Sequence, residues 1–220
     1  MSLTMNRILR GVGWLFISVG TLVLLYLVYS LLYTNQATEQ AQQELREQWD
    51  LQLSQEDDAA VGDPGDEDDA SETDAPDAGT AVAALEFRRP GQDKPLVHAD
   101  PLYVVPGVTL GELQRGPGHY PGTALPGEDG NFAVAGHRTT YGAPFFNLDK
   151  LRRGDEVIVT DPAGDRHTYR VRRQEIVNPA DTWVIAPDPL QRGRPTLTLT
   201  TCNPRFSNAQ RLIVFAELVA

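Results

Sequence analysis

Two alternating apolar runs near the C-terminus constrain this chain most. Residues 196–202 read TLTLTTC, residues 211–219 read RLIVFAELV, and eight polar or turn-forming residues separate them. Alternation with period two marks a strand with one face toward a core, so this stretch is a strand, a loop and a strand. In the first run Leu197 and Leu199 share a face, opposite Thr198, Thr200 and Cys202. In the second, Leu212, Val214, Ala216 and Leu218 lie opposite Arg211, Ile213, Phe215 and Glu217. If the strands pair antiparallel, Cys202 at the end of one and Arg211 at the start of the next meet at one edge of a sheet. A thiol beside a fixed cation is the arrangement that favours a thiolate nucleophile.

The rest of the C-terminal part has the same texture. From about Leu85 the chain is cut by Gly and Pro into short segments. Strands are predicted over 96–104, 132–136, 156–160, 167–177, 182–185, 196–202 and 211–219. Short strands at this density indicate a sandwich or a closed barrel. One short helix is predicted from Pro144, where Phe145, Leu148 and Leu151 recur at helical spacing and Gly154 follows as a stop. The roughly 135 residues involved can bury an independent core.

The N-terminal part is built differently. Residues 11–33 carry no charge and follow Arg7 and Arg10. As a helix rising about 1.5 Å per residue they cross a bilayer core of about 30 Å. The apolar region of a signal peptide is shorter, about 7–15 residues, and no small-x-small cleavage site follows Tyr33 directly. The expectation is a single uncleaved transmembrane anchor over 11–33, with residues 1–10 cytoplasmic and everything from 34 onward outside the cell membrane. Residues 34–55 are good helix formers whose Leu45, Trp49, Leu51 and Leu53 make only a partial stripe, which predicts a solvated helical spacer. Residues 56–84 read as a disordered acidic tether before a catalytic domain over 85–220.

Charge excludes one class of partner. The net charge of −11 is carried by eleven acids between Glu56 and Asp77, and the remainder holds as many acidic as basic residues. No basic excess remains to neutralise phosphates, so nucleic acid is not an expected partner. The acids lack DxDxDG spacing, so no metal is expected there.

Cys202 is the only cysteine. A free cysteine is usually a small buried hydrophobe, but outside a membrane structural cysteines come in pairs, and this one has no intrachain partner. As an acyl-transfer nucleophile it needs a proton donor and donors for an oxyanion. His98 and His167 fall within predicted strands, where packing roles are commoner. His137 follows the alternating run NFAVAG and opens the loop HRTTYG, a position typical of site residues. His119, in GPGHYPG, is its rival.

The segment TLTTC, followed nine residues after its cysteine by Arg211, resembles the TLxTC signature and arginine of the sortases. These are membrane-tethered cysteine transpeptidases of Gram-positive cell surfaces. GNFAVAGHRTTYGAPFFNLDKLRRGD resembles the region around the catalytic histidine in class D and class E members, and the resemblance covers about residues 95–220. It implies a mainly β, closed sortase-type barrel with one or two short helices. It also implies His137 as general acid/base, Cys202 as nucleophile and Arg211 as oxyanion-stabilising cation. Arg205 is the weaker candidate because it lies in the turn, whereas Arg211 opens a strand. Arg138, Arg152 and Arg153 are read as solvated charges. GPGHYPGTALP resembles the class E loop whose tyrosine helps select a LAXTG-like motif, so Tyr120 is a substrate-contact candidate. Backbone N–H groups near Thr201 and Cys202 are candidate oxyanion donors, with Thr201 on the substrate side.

The implied reaction is attack on the Thr–Gly carbonyl of a LAXTG- or LPXTG-like sorting motif in a secreted protein. A thioacyl enzyme is then resolved by an amine on a cell-wall precursor or a pilin. No cofactor is implied. A pilin polymerase would differ in genomic neighbourhood. A hydrolytic cysteine peptidase would gain nothing from an added amine, and in a membrane-tethered binding domain Cys202→Ala would be silent.

Overall fold

The computed structural model of the protein describes residues 2–59 and 80–219. Helix α1, Ser2–Ala59, leads into strands β1, Ala83–Arg88, and β2, Leu102–Pro106. Helix α2, Leu110–Arg115, precedes β3, Gly118–His119, and β4, Asn131–Ala135. Then come β5, Glu156–Thr160, β6, Arg166–Val177, β7, Thr196–Asn203, and β8, Gln210–Leu218. Among the described residues these strands close a barrel in the order β1-β2-β3-β4-β7-β8-β6-β5.

The alternation assigned from sequence survives closure. Leu197, Leu199, Leu212 and Val214 fill the interior with Phe132 and Val134. Ile213 and Phe215 point outward and are covered by Val184. Most neighbouring pairs are antiparallel, but β4 and β7 run parallel, with Ala135 opposite Thr200. That pairing carries the site. Parallel neighbours deliver their C-terminal ends to the same rim, and β8, antiparallel to β7, starts there.

Several expectations are corrected. The strand predicted over 96–104 begins only at Leu102 and runs on to Pro106. His98 therefore lies in a loop, where its Nδ1 is 3.0 Å from Asp100 O. Residues 182–185 form a 3₁₀ turn rather than a strand. Pro179 and Pro187 flank it closely, and a backbone interrupted by missing N–H groups does not extend a ladder. The helix predicted from Pro144 contracts to a 3₁₀ turn, Leu148–Lys150, although Phe145, Leu148 and Leu151 are buried as the spacing required. Helix α2 was not anticipated. Its sequence sign is Thr109 with Glu112 three residues on, and Glu112 Oε2 accepts the Thr109 N–H at 2.6 Å.

The barrel also starts earlier than the change of composition at Leu85. Ala81–Ala84, assigned to the tether, are buried, and β1 begins at Ala83. Alanines signal burial weakly; Val82 and Ala83 face the barrel interior, and the surface that covers Ala81 and Ala84 comes from α1. Leu45 and Trp49 pack with Ala81, Ala84, Tyr103 and Val105, and Leu53 adds to the contact. The Trp49 ring meets Tyr103 edge-on at 5.9 Å. Gln42 donates to Tyr103 O and Arg115 O, both at 3.0 Å, and accepts the Tyr103 N–H at 2.9 Å. The helical spacer is therefore docked rather than solvated, because Leu45, Trp49 and Leu53 repeat at i, i+4, i+8 and find an apolar wall.

The charge-free stretch belongs to the same α1, and its residues 11–26 are exposed, including Trp14, Phe16, Leu22 and Leu25. Among the described residues no helix is long and apolar enough to cross a membrane. The side chains of residues 27, 28 and 30–33 of the expected span lie outside the described ones, as does the tether from 60 to 79.

Candidate active site

Cys202 and Arg211 are direct cross-strand partners in the β7–β8 ladder. Such partners have Cα atoms about 4.5–5.5 Å apart. By parity both side chains lie on the outer face, because the interior is taken by Leu199 and Leu212. Cys202 is half-buried and unpaired. On its other side the parallel ladder continues past β4, with Gly136 N–H donating to Thr200 O at 3.0 Å. His137 is the next residue. The antiparallel β8 and the parallel β4 thus bring histidine, cysteine and arginine to adjacent positions on one rim.

His137 is held by a tight loop. Phe145 N–H donates to His137 O at 3.0 Å, and Gly136 admits the Phe145 ring, which a Cβ there would meet at 2.5 Å. The imidazole lies 4.9 Å from the Tyr141 ring. Its Nδ1 is 3.4 Å from Thr140 Oγ1, while Nε2 is buried without a partner among the described residues. Burial pushes the His137 pKa below the ordinary histidine value, so the ring is held neutral near pH 7. A neutral ring with a free nitrogen can accept a proton.

The loop stores strain. Tyr141, Gly142 and Ala143 have φ of 51°, 68° and 46°, all left-handed. Each non-glycine residue there costs about 1–2 kcal/mol. Such segments persist where the surroundings over-determine them, and they concentrate at functional sites.

The other histidines are used elsewhere. His119 is buried against Phe132, with Nε2 at 3.1 Å from Ala124 O and 2.9 Å from Thr123 Oγ1. His167 pairs with Asp161 at 2.8 Å.

The cations separate in the same way. Arg205 bonds Asp149 at 2.7 Å, and its guanidinium lies 4.3 Å from the Phe146 ring centroid. Arg152 and Arg153 are exposed, as expected. Arg138 is a correction, being 5% exposed rather than solvated. It donates to Cys202 O at 3.2 Å and Asn203 Oδ1 at 2.6 Å, and it approaches Asp149 at 3.4 Å. It ties the histidine loop to the cysteine backbone. Arg211 donates to Asn208 O and Gln210 O, and among the described residues no carboxylate pairs with it. Its charge is available to an anion.

Tyr120 lines a pocket of about 120 Å³ together with Thr200, Arg211 and Ile213, walled by residues 177–185. Its hydroxyl is 3.0 Å from Thr200 Oγ1. Asn131 holds the wall from behind, donating to Val184 O and Ala186 O and accepting from Thr198 Oγ1. Thr201 does not open on the pocket. It is buried, and its hydroxyl donates to Gly136 O at 2.7 Å, fastening β4 to β7. A larger cavity of about 400 Å³ lies between α1 and the barrel, and none of His137, Cys202 or Arg211 lines it. Sequence reasoning missed Arg138 and Asn131, whose burial depends on loops that periodicity does not describe. Among the described residues no cluster of His, Cys, Asp and Glu is arranged to hold a metal.

The chain resembles known proteins of one family. A family model described as the sortase domain matches residues 96–219. Sortase SrtE1 of Streptomyces coelicolor is 32% identical over 230 residues, covering 96% of this chain and 57% of that protein, so the chain spans little more than half the relative's length. The structure of sortase E from Streptomyces avermitilis superposes with a TM-score of 0.54 at 40% identity, covering 64% of this chain and 88% of the other. A Clostridium perfringens sortase D5 transpeptidase gives a TM-score of 0.58 at 26% identity, with coverage of 84% and 99%.

Proposed function

The chain belongs to the sortase family, and from that premise we propose that it is a membrane-anchored cysteine transpeptidase of the class D/E group. It cleaves a LAXTG- or LPXTG-like sorting motif between Thr and Gly and transfers the secreted protein to a cell-wall amine. The observation that carries this reading is the cross-strand pairing of Cys202 with Arg211 on the rim reached by His137.

The residues act in sequence. The neutral His137 ring takes the thiol proton at Nε2 as the Cys202 sulfur bonds to the threonine carbonyl carbon. The carbonyl electrons move to oxygen, where the Arg211 guanidinium opposes the developing charge, together with backbone N–H groups near Cys202. Collapse breaks the Thr–Gly bond, and the departing amine takes the proton from His137. The thioester remains. An acceptor amine then attacks it and gives its proton to His137, which returns it to the leaving thiolate. One peptide bond is broken and one formed, with no change of oxidation state.

Tyr120 contacts the motif in the pocket beside Arg211, a reading supported by the resemblance of its loop to that of class E members. Residues 11–33 are the anchor, with the N-terminus cytoplasmic and the barrel outside, a reading that rests on the absence of charge and on exposed apolar side chains around the helix.

The test uses the full chain in detergent micelles, wild type and Cys202→Ala, with LAXTG and LPXTG peptides, with and without oligoglycine. Products are read by mass spectrometry. Cleavage after threonine with amine-dependent ligation, absent from the alanine variant, is expected. Cleavage with no amine incorporated would replace the transferase by a peptidase, and no thioacyl adduct on Cys202 with either peptide would refute the reading. For topology, protease outside intact cells should remove a C-terminal tag and spare an N-terminal one.

A further inference from the structure

The loop after His137 is held from two sides. The Tyr141 ring lies against the imidazole at 4.9 Å, tilted by 38°. A tyrosine with φ 51° beside a glycine and an alanine of the same hand is an unexpected choice, since Gly or Asn adopt that conformation more readily. Something in the surroundings retains it. The Tyr141 hydroxyl accepts from Gln114 Nε2 of α2 at 3.2 Å. Gln114 O in turn accepts from Thr38 Oγ1 of α1 at 2.8 Å. The Gly142 N–H donates to Asn35 Oδ1 of α1 at 3.2 Å, and a Cβ at Gly142 would meet the Thr38 methyl at 3.2 Å. α1 therefore touches the strained loop directly and, through α2, the residue that covers the imidazole.

We propose that Tyr141 is a positioning residue for His137, kept in its left-handed conformation by Asn35 and Thr38, so that the tether helix forms part of the active-site scaffold. The proposal rests on the transpeptidase reading. A ring tilted against the imidazole at 4.9 Å limits its rotation and keeps water from its face, which leaves Nε2 aimed for proton transfer. A spacer that only held the barrel away from the membrane would have no need to bond the loop that follows the catalytic histidine.

The test uses the full chain in micelles as wild type, Tyr141→Asn, Tyr141→Phe and the pair Asn35→Ala with Thr38→Val. Asparagine tolerates the left-handed backbone, so Tyr141→Asn removes the ring while easing the strain. Three quantities are read: kcat and KM on the peptide the wild type cleaves, the NMR titration midpoint of the His137 ring, and the melting temperature. The charged groups of the surrounding elements, Arg138, Asp149, Arg205 and Arg211 at the rim, Glu39 on α1 and Glu112 on α2, stay in place in every variant. A change of midpoint therefore reports the cover over the ring.

Tyr141→Asn is expected to lower kcat about tenfold to a hundredfold, the scale of a misplaced catalytic group, with KM within about twofold. Its midpoint should rise toward that of free histidine while the melting temperature does not fall. Tyr141→Phe keeps the ring but loses its bond to Gln114, so it should fall between wild type and Tyr141→Asn, and the α1 pair should shift kcat and midpoint in the same direction as Tyr141→Asn. An unchanged midpoint and kcat in Tyr141→Asn, or a Tyr141→Phe as impaired as Tyr141→Asn, would overturn the proposal. A wild type that turns over neither peptide defeats the transpeptidase reading instead, and the midpoints still decide whether Tyr141 governs the His137 environment.

Discussion

Replacing Arg138 by alanine should both loosen the barrel and disable the site. Its guanidinium makes two charge-assisted hydrogen bonds, to Asn203 Oδ1 at 2.6 Å and to Cys202 O at 3.2 Å. Bonds of this kind contribute about 1.5–3 kcal/mol each, the longer one near the low end, for about 4 kcal/mol together. The 3.4 Å pair with Asp149 adds little, because that carboxylate is 39% exposed and retains Arg205. Against this, Arg138 Nε is buried without a partner among the described residues. Removing it relieves about 1–2 kcal/mol of desolvation. The net loss is about 2–3 kcal/mol, and at about 4 °C per kcal/mol for a domain of this size the melting temperature drops by about 8–12 °C. Because one of the lost bonds holds the Cys202 carbonyl, kcat/KM should also fall at least about tenfold at temperatures where the variant is folded. Near-UV circular dichroism melts report the packing of the barrel together with Trp49 of α1 docked on it, and peptide cleavage reports the site. A variant melting within about 2 °C of wild type with full activity would show that the buried guanidinium neither supports the barrel nor fixes the strand that carries Cys202.

Three further perturbations probe separate parts of the architecture. Gly136→Ala would press a Cβ to 2.5 Å from the Phe145 ring, so a loss of about 1–3 kcal/mol in urea melts is expected, largely recovered by Phe145→Leu in the same chain; no recovery would mean the contact is not the cause. Asn131→Ala leaves Val184 O and Ala186 O without their donor, and it should raise KM for the sorting peptide more than it lowers kcat; equal loss in both would argue against a role in holding the pocket wall. Burial lowers the pKa of both His119 and His137, so the unfolded chain takes up protons that the folded one refuses as pH falls through about 6.5. Stability is then full above that value and declines below it, until the folded-state pKa values are passed. Urea melts at pH 7.5 and 5.5 should show the decline, reduced in His119→Gln, and a slope of the opposite sign would contradict the burial argument.

Much of the site was legible because strands have a short, strict period. Once residues 196–202 and 211–219 are strands, parity alone assigns Leu197 and Leu199 inward and Cys202 and Arg211 outward, and antiparallel pairing across an eight-residue loop brings Cys202 near Arg211. The same logic put His137 at the mouth of a loop as the first residue after an alternating run, with His119 as its rival, and only the resemblance to the sortases chose between them. Helical and loop regions were less readable. The apolar residues of α1 looked like a partial stripe because their partner surface, Ala81, Ala84, Tyr103 and Val105, is assembled from two strands far away in sequence. Residues 182–185 carry β-branched residues suited to a strand, yet with two nearby prolines they form a 3₁₀ turn whose Val184 covers the outward-facing Phe215 and Ile213.

By itself, then, the sequence determined the mainly β character, the faces of β7 and β8, and the placement of Cys202 beside Arg211. These follow from local periodicity and from side-chain chemistry that does not depend on distant partners. Tertiary structure alone decided that β4 runs parallel to β7, so that His137 arrives beside Cys202. It also decided that Arg138 is buried and bonded to the Cys202 carbonyl, that Thr201 fastens two strands instead of facing the pocket, and that α1 reaches the loop covering His137. Each depends on which segments become neighbours when the barrel closes, and a one-dimensional pattern carries no term for that.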